Sequence, residues 1–334
     1  MKPTIAVLIP CLNEELTIRK VVKDFRLHLP EAEIHVFDNA STDGTRQEAE
    51  DAGAVVHTES RRGKGFVVQS MFQKIDADIY LMVDGDDTYP AEAARDLIAE
   101  VASGEADMAV GSRLLAADSS FRPLNRMGNQ LFLRVINCIF GTQLTDVLSG
   151  YRAMSRRFVK GLPLFVTGFE VEVEMTIKTL ERGYRLVEKP TALRDRPEGS
   201  HSKLRKFRDG YRILWTILAL MRDYKPLTTF GAAGLLVVLL GLLPGAVVID
   251  EYMRTGLVRH FPSAVLAVGM VLCGLLGVSA GLVLHTVNRR FQELDYLVRL
   301  RLPQKAPGAR RRRRKLAELA AENAPSPAAS EWRG

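Results

Sequence analysis

The stretch Leu81–Pro90 reads LMVDGDDTYP and closes a short apolar run that begins at Ile79. Such a run predicts a buried strand, which carries Asp84 and Asp86 at its carboxyl end. Two carboxylates one residue apart, followed by Thr88, suit an oxygen-ligated Mg²⁺ or Mn²⁺ that takes its other ligands from water and a substrate diphosphate. An Asp-x-Asp pattern alone is weak evidence, because acidic turns follow many strands. The surrounding sequence therefore decides the interpretation.

Strands and helices alternate through the first 83 residues. Apolar runs typical of strands lie at Thr4–Ile9, Glu33–Phe37, Ala54–His57 and Ile79–Val83, and helical spacing separates them at Glu14–Leu29 and Lys64–Ile75. Strands joined by crossover helices predict an α/β domain with a mainly parallel sheet, helices on both faces, and ligands at the carboxyl ends of the strands.

The polar candidates fall at these carboxyl ends. They are Asn13 and Glu14 after the first strand, Asp38 and Asn39 after the second, and Asp84 and Asp86 after the fourth. Because the ends of parallel strands meet at one edge of a sheet, we expect these side chains to lie close together. This agreement carries more weight than any single motif.

Several functional classes are disfavoured. No G-x-G-x-x-G follows the first strand, which argues against a dinucleotide dehydrogenase. Gly63-Lys64-Gly65 lacks the rest of a P-loop, so it is either a basic loop near a diphosphate or a plain turn at a helix start. The three Cys and six His are scattered without metal-ligand spacing, which argues against a zinc site.

Two long apolar runs, Leu227–Ile249 and Phe261–Val287, follow the α/β part. The first would span about 34 Å as a helix, enough to cross a hydrocarbon core of about 30 Å. The flanking segments are basic: Ser200–Pro226 carries seven Lys/Arg against two acids, and Arg289–Lys315 carries eleven against two. This distribution predicts two spans of the plasma membrane, with the N-terminal domain and both termini in the cytoplasm.

The net charge of +7 gathers beside the predicted spans, where anionic lipid is a closer partner than nucleic acid. Aromatic residues recur with helical spacing among arginines over 204–225, which predicts an interfacial amphipathic helix. The predicted organisation is a cytoplasmic α/β domain over 1–203, this amphipathic helix, two transmembrane helices within 226–288 (about 227–249 and 262–287), and a basic, partly disordered tail over 289–334.

Small residues in the two spans would permit close helix contact, either within one chain or between copies in a homo-oligomer. They are Gly231, Ala232, Gly234, Gly277 and Gly281.

Seven segments together resemble the family 2 glycosyltransferases of GT-A fold. They are IPCLNEE at Ile9–Glu15, DNASTDGT at Asp38–Thr45, DGD at Asp84–Asp86, GSR at Gly111–Arg113, DVLSGYR at Asp146–Arg152, GFE at Gly168–Glu170 and GSHSK at Gly199–Lys203. The later segments are similar to those of the polyprenyl-phosphate glycosyltransferases, the group of dolichol-phosphate mannose synthase. Each motif is modestly specific, whereas their number and order are highly specific.

The resemblance implies a nucleotide-sugar site at the predicted sheet edge. It assigns the base and ribose to Pro10, Glu14, Asp38 and Asp84, and the neighbouring Asn13, Asn39, Lys64 and Gly85 complete the predicted nucleotide set. It assigns the Mg²⁺ or Mn²⁺ to Asp86 assisted by Thr88, although many relatives carry Gln where Thr88 stands, and the Asp-x-Asp pattern adds Asp84. Asp87 would reach the sugar or a metal-bound water. Without the resemblance, Glu14 and Asp38 are ordinary helix-capping and turn residues.

A lipid phosphate acceptor is already anionic, because its second pKa is about 6, and its attack therefore needs no general base. The harder task is bringing two anionic substrates together, for which arginine suits phosphate oxygens. The candidates for this contact are Arg113, Arg126, Arg152, Arg196, Ser202, Lys203 and Arg205, with a solvated surface position as the alternative for each. Asp146 and Glu170 join Asp84, Asp86 and Arg113 as catalytic candidates. Glu170 would be a base, an orienting group or simply the start of a helix.

The residues and the resemblance together predict an inverting transfer of one sugar, glucose or an N-acetylhexosamine, from a UDP-sugar to undecaprenyl or a related polyprenyl phosphate. GDP-mannose is the alternative donor, and a hydroxyl group is the alternative acceptor. A processive polysaccharide synthase is disfavoured, because Q-x-x-R-W is absent and two spans cannot enclose a pore. The rival from another class is a non-catalytic membrane scaffold that binds a nucleotide sugar, against which the intact Asp84/Asp86 pair argues.

Overall fold

The computed structural model describes residues 3–113, 133–134, 136–194, 215, 218–219 and 221–301, the last seven by their backbone only. The strands in this part are β1 (Ile5–Cys11), β2 (Glu33–Asp38), β3 (Val55–Thr58), β4 (Ile79–Met82), β5 (Met108–Ser112), β6 (Arg152–Ser155) and β7 (Leu186–Pro190). The helices are α1 (Ile18–His28), α2 (Thr45–Asp51), α3 (Lys64–Lys74), α4 (Ala94–Ala102), α5 (Arg156–Gly161), α6 (Val171–Glu181), α7 (Pro226–Thr255) and α8 (Phe261–Arg301). Short helical stretches also lie at 136–140 and 221–224.

The strands form one sheet in the order β3-β2-β1-β4-β6-β5-β7. β6 pairs antiparallel with β4 and with β5, whereas every other pairing is parallel. The prediction of a mainly parallel α/β sheet is therefore confirmed. The reversed strand β6 is only four residues long and lacks an apolar run, so periodicity does not reveal it.

The sheet is covered on both faces, which explains why β1 is apolar throughout. Val7 and Ile9 pack in one cluster with residues of α1 and α4. Ala6 and Leu8 point the other way and pack in a second cluster with residues of α3 and α6. Alternate residues of a strand face opposite sides, and a strand buried on both sides therefore reads as a continuous apolar run. The result is a three-layer α/β/α domain.

The chain bends between β1 and α1, and this bend lies at the edge where the candidate residues gather. β1 runs to Cys11, two residues past the predicted end, because it stays paired with β2 as far as Asp38. α1 begins at Ile18 and not at Glu14. The Glu14 carbonyl accepts hydrogen bonds from the N–H groups of Thr17 (3.1 Å) and Ile18 (3.0 Å), which closes a turn ahead of the helix.

α7 and α8 form a helical hairpin, and both are long and apolar enough to cross a membrane. They have 30 and 41 residues and extend past the predicted spans, because residues such as Asp250, Glu251 and Arg289 continue the helices. Large apolar side chains, including Leu236, Leu243 and Leu276, are exposed on their outer faces. This pattern fits helices surrounded by lipid.

Small residues bring the two helices together. Buried positions recur every seven residues, at Gly234, Gly241 and Val248 on α7 and at Ala267, Gly274 and Gly281 on α8. A Cβ atom added at Gly234 would lie 2.5 Å from the carbonyl oxygen of Gly274. Gly231, Gly234, Gly277 and Gly281 thus lie at a contact within one chain, the first of the two predicted uses, whereas Ala232 is exposed.

The hairpin contacts the α/β domain at the end of α6. Asn288 of α8 donates a hydrogen bond to the carbonyl of Asp223, and Gln292 donates one to the Glu181 carboxylate. Lys225 Nζ lies 3.4 Å from Glu181 Oε2. Burial raises the pKa of Glu181, against the effect of Lys225. The base of the hairpin is therefore tied to the last turn of α6.

We expect Gly234→Ala to destabilise the hairpin by about 1–3 kcal/mol, because the added methyl group overlaps the backbone of α8. Gly269→Ala is the matched control, since no atom lies within 4 Å of a Cβ added there. Thermal unfolding of the detergent-purified protein measures both. A melting temperature for Gly234→Ala as high as that of Gly269→Ala would contradict this packing.

Candidate active site

The carboxyl ends of β1, β2 and β4 meet as predicted. The Asn39 N–H donates to the Cys11 carbonyl at 2.9 Å, and the Thr17 hydroxyl donates to the Gly85 carbonyl at 2.7 Å. A Cβ added at Gly85 would lie 2.6 Å from Cys11 Sγ, so glycine lets this turn pass close to the Cys11 side chain. Burial raises the pKa of the Cys11 thiol, and four nearby carboxylates raise it further: Glu14, Asp38, Asp84 and Asp86. These four predicted residues therefore lie on the side of the sheet edge near Cys11.

The turn after β4 presents Asp86 at the sheet edge. The Thr88 hydroxyl donates to Asp86 Oδ1 at 2.6 Å, which fixes the carboxylate within its own turn. Asp87 takes a left-handed backbone conformation (φ 56°), and its Oδ1 lies 2.9 Å from Lys20 Nζ and 3.7 Å from an Arg194 nitrogen. The structure thus directs Asp87 to two cations.

Lys64 lies at the start of α3 and joins two carboxylates. Its Nζ is 2.6 Å from Asp84 Oδ1 and 2.5 Å from Glu172 Oε1. Burial disfavours the charged ammonium, but the two carboxylates more than offset this effect and raise the pKa of Lys64. Lys64 therefore stays charged beside Asp84.

Arg113 and Asp146 form a bidentate ion pair within electrostatic reach of Asp84, in the turn after β4. Arg113 Nε lies 2.6 Å from Asp146 Oδ2, and its Nη2 lies 2.8 Å from Oδ1. The buried Asp146 carboxylate overcomes the effect of burial and raises the pKa of Arg113. Glu188 of β7 accepts hydrogen bonds from the N–H groups of Thr145 (2.8 Å) and Asp146 (2.9 Å). Arg113 is thus held in a fixed direction with about a fifth of its side chain exposed.

Two residues predicted to bind the nucleotide instead form hydrogen bonds with backbone groups of the surrounding loops. Asn39 donates to the carbonyls of Glu59 (2.9 Å) and Arg61 (2.8 Å) and accepts from the Gly63 N–H at 2.8 Å. Asn13 Oδ1 accepts from the Thr42 N–H at 2.8 Å. These contacts hold the loops around the sheet edge in place.

Three further nucleotide candidates lie beside them. Pro10 lies within β1 and is partly buried. Glu14 donates its N–H to the Thr45 hydroxyl at 2.7 Å. Asp38 is buried and accepts from the Ser41 N–H at 3.2 Å, the turn contact expected for an aspartate in this position.

Arg152 corrects one prediction. Its side chain is fully buried, and its guanidinium donates to the carbonyls of Ser149 (2.8 Å) and Val147 (2.9 Å) and to the Thr176 hydroxyl (3.0 Å). Burial lowers its pKa. A group enclosed in this way cannot meet a phosphate, and the assignment of Arg152 to the acceptor is wrong. Apart from Arg113, the remaining acceptor candidates lie outside the described residues: Arg126, Arg196, Ser202, Lys203 and Arg205.

Glu170 is half-buried and immediately precedes α6, where its carbonyl accepts from the Glu174 N–H at 3.0 Å. This position agrees with the simplest of the three predicted roles, in which Glu170 only begins a helix. The sequence analysis missed Glu172 two residues later, which is buried and reaches Lys64. Glu172 is one of nine consecutive buried residues of α6, so helical periodicity gave no signal for it. Glu188 and Arg194 carried no signal either.

The donor set fits a hard divalent cation that is shared with a diphosphate. Among the described residues no three His, Cys, Asp or Glu side chains cluster as a complete protein cage. Mg²⁺ commonly takes only one or two protein carboxylates and obtains its other ligands from substrate phosphates and water. Asp86 offers such a carboxylate at the sheet edge, whereas Asp84 already pairs with Lys64.

Known proteins share this sequence and fold. Residues 6–162 match the sequence family described as Glycosyl transferase family 2. Glycosyltransferase AglJ of Haloferax volcanii is 33% identical over 303 residues, covering 88% of this chain and 98% of AglJ. A dolichyl-phosphate hexose transferase of the same organism is 29% identical, covering 63% of this chain and 90% of the relative.

A solved structure shows the same architecture. It is glucosyl-3-phosphoglycerate synthase from Mycobacterium tuberculosis in complex with Mn²⁺, UDP-glucose and glycerol 3-phosphate. It superposes with a TM-score of 0.52 at 26% identity, covering 65% of this chain and 80% of that chain. Three findings agree: the motifs at the sheet edge, the shared fold, and a relative that matches along nearly its whole length. The chain belongs to glycosyl transferase family 2.

Proposed function

We propose that this glycosyltransferase moves one sugar from a UDP-sugar to a polyprenyl phosphate at the membrane surface. The observation that carries the proposal is the Arg113–Asp146 pair within electrostatic reach of Asp84, in a chain that continues into an apolar helical hairpin. The names of its relatives support a lipid phosphate acceptor, and the UDP-glucose complex of the solved structure supports the donor class.

The donor would lie along the edge formed by β1, β2 and β4. Asp38 and Glu14 would bind the nucleoside, with Asp84 and Lys64 next to them. Asp86 would hold a divalent cation, with Thr88 fixing the orientation of its carboxylate. When bound, such a cation supplies Lewis-acid neutralisation of the charge that develops on the leaving diphosphate.

The acceptor phosphate would approach Arg113, whose guanidinium is held in place by Asp146. An oxygen of the anionic phosphate attacks the anomeric carbon while the bond to the nucleoside diphosphate breaks, and the configuration inverts. No proton needs to be removed from such a nucleophile. Arg126, Arg196, Ser202, Lys203 and Arg205 remain proposed contributors to the same anionic subsite.

A hydroxyl acceptor would instead require a base. Asp146 is poorly suited to this task, because its side chain is fully buried and pairs with Arg113. Glu170 would be the base in that case. Selective loss of turnover in Glu170→Gln, with nucleotide binding intact, would favour the hydroxyl acceptor.

We further propose that the α/β domain over 1–203, the amphipathic segment over 204–225 and the tail over 289–334 lie on the cytoplasmic side of the membrane. The basic residues on both sides of the hairpin support this orientation. Anionic lipid would contact the same basic segments. The loop over 256–260 would face the opposite side.

Asp86→Ala should lower turnover roughly a hundredfold or more, because the cation loses its protein carboxylate. Chelation of divalent cations should have the same effect on the unmodified protein. The measurement is release of nucleoside diphosphate by the detergent-purified protein with Mn²⁺, over UDP- and GDP-sugars, with and without undecaprenyl phosphate. Asp96→Ala, on an exposed face of α4, is the matched control. Turnover that ignores the lipid phosphate with every donor would refute the proposed acceptor.

Arg113→Lys should raise the KM for the lipid phosphate roughly tenfold, since lysine cannot reproduce the bidentate geometry of arginine. The Kd for UDP should stay unchanged, because Asp146 keeps a cationic partner. Steady-state kinetics with varied polyprenyl phosphate and calorimetric titration with UDP test the two halves. Arg95→Lys, an exposed arginine on α4, serves as the control. A tenfold loss of UDP affinity as well would indicate that Arg113 contacts the donor nucleotide and not the acceptor phosphate.

Leu257→Cys should react with a membrane-impermeant maleimide in intact cells, because residues 256–260 would be external. Glu293→Cys should react only after the cells are permeabilised. The background carries Cys138→Ser and Cys273→Ala, since both native thiols are exposed, while Cys11 is buried. The reverse labelling pattern would invert the proposed topology.

A further inference from the structure

The first turn of α6 carries a carboxylate that the proposed mechanism does not use. Glu172 is 3% exposed, and only one of its oxygens, Oε1, contacts Lys64. The other oxygen, Oε2, is buried and has no hydrogen-bond partner among the described residues. A buried acceptor without a partner destabilises a fold, so its presence calls for an explanation.

Lys64 is held from two sides by this arrangement. Asp84 Oδ1 is 2.6 Å from Nζ and Glu172 Oε1 is 2.5 Å from it. Exposure of the side chains falls from 28% at Asp84 to 11% at Lys64 and 4% at Glu172. Glu172 therefore lies behind Lys64, on the interior side, while Asp84 lies nearer the opening.

The second carboxylate changes what Lys64 and Asp84 can do. One carboxylate would suffice to neutralise the ammonium, but a flexible lysine chain with one partner can rotate. With two partners on different elements, its direction is fixed. Because Glu172 shares the positive charge, Asp84 remains a strong hydrogen-bond acceptor at the sheet edge.

We propose that Glu172 is a positioning residue for the nucleotide of the donor: it acts through Lys64 and holds Lys64 and Asp84 in the geometry that binds the nucleotide. The inference rests on the proposed function only in requiring a nucleotide-sugar donor. It does not depend on the acceptor.

A purely structural role is the competing explanation. The Glu172 carboxylate interacts electrostatically with Arg152, which donates to the Thr176 hydroxyl one turn further along α6. Glu172 would then offset the charge of Arg152 and have no effect through Lys64. The two explanations differ in their effects on stability and on a double-mutant cycle.

The experiment is calorimetric titration of the detergent-purified full chain with UDP and with GDP, each with Mn²⁺, beside a thermal melt. The variants are Glu172→Gln, Lys64→Gln and the double variant. We expect Glu172→Gln to weaken nucleotide affinity about tenfold, as loss of a supporting residue commonly does, with the melting temperature unchanged or higher. The double variant should bind as Lys64→Gln does, because Glu172 acts through Lys64.

Two further variants sharpen the test. Glu181→Gln removes another buried carboxylate from the same helix, one that pairs with Lys225 far from the sheet edge, and should leave nucleotide affinity unchanged. Glu172→Asp keeps the charge and should recover part of the affinity.

Unchanged affinity in Glu172→Gln would overturn the proposal. So would a lowered melting temperature together with an affinity loss that persists in the Lys64→Gln background, which is the result expected from the Arg152 explanation. A lack of lipid-dependent turnover, with the affinity change present, would refute the acceptor and leave Glu172 in its role. Wild-type protein that binds neither nucleotide would overturn both.

Discussion

Parallel pairing of β1 with β2 and β4 places three strand ends side by side, and each is followed by acidic residues. The sheet therefore concentrates negative charge at one edge before any ligand is considered, as the effect on Cys11 illustrates. Such a concentration is tolerable only with cations and hydrogen-bond donors nearby. Thr88, Ser41 and the backbone supply the donors. The cations are Arg113, directly after β5, and Lys64, at the start of α3.

Three buried cations in the described part of the domain serve in two different ways. Arg113 and Lys64 each pair with carboxylates and keep part of their side chain open toward the edge. Arg152 is satisfied by neutral carbonyls and a hydroxyl within the interior, and it fastens β6 to α6. Arginine thus has two roles in this domain: Arg113 is placed to bind a ligand, whereas Arg152 stabilises the fold. The two differ in whether the guanidinium is exposed.

Much of the edge was predictable from sequence, because alternation of strands and helices fixes where strand ends meet. The errors have physical causes. Arg152 belongs to a motif that resembles those of active relatives, but a motif does not disclose burial, and the short reversed strand β6 carries the side chain inward. Glu172 was missed in favour of Glu170 because the GFE segment points to Glu170. Since α6 is buried on all sides, its sequence does not distinguish Glu172 from its neighbours. The glycines of the two spans are compatible with helix contact within one chain or between copies. The sequence alone does not distinguish these two arrangements, whereas the packing of α7 against α8 does.

The length of α8 has a mechanical meaning for a glycosyltransferase in a membrane. From Phe261 to Gln292, where it meets α6, the unbroken helix covers roughly 47 Å, whereas a hydrocarbon core is about 30 Å thick. A helix that crosses the core from Phe261 would therefore project beyond it, contact α6 through Gln292 and continue to Arg301. The bilayer itself would then set the height of the catalytic edge, and a thicker membrane would draw that edge closer to its surface.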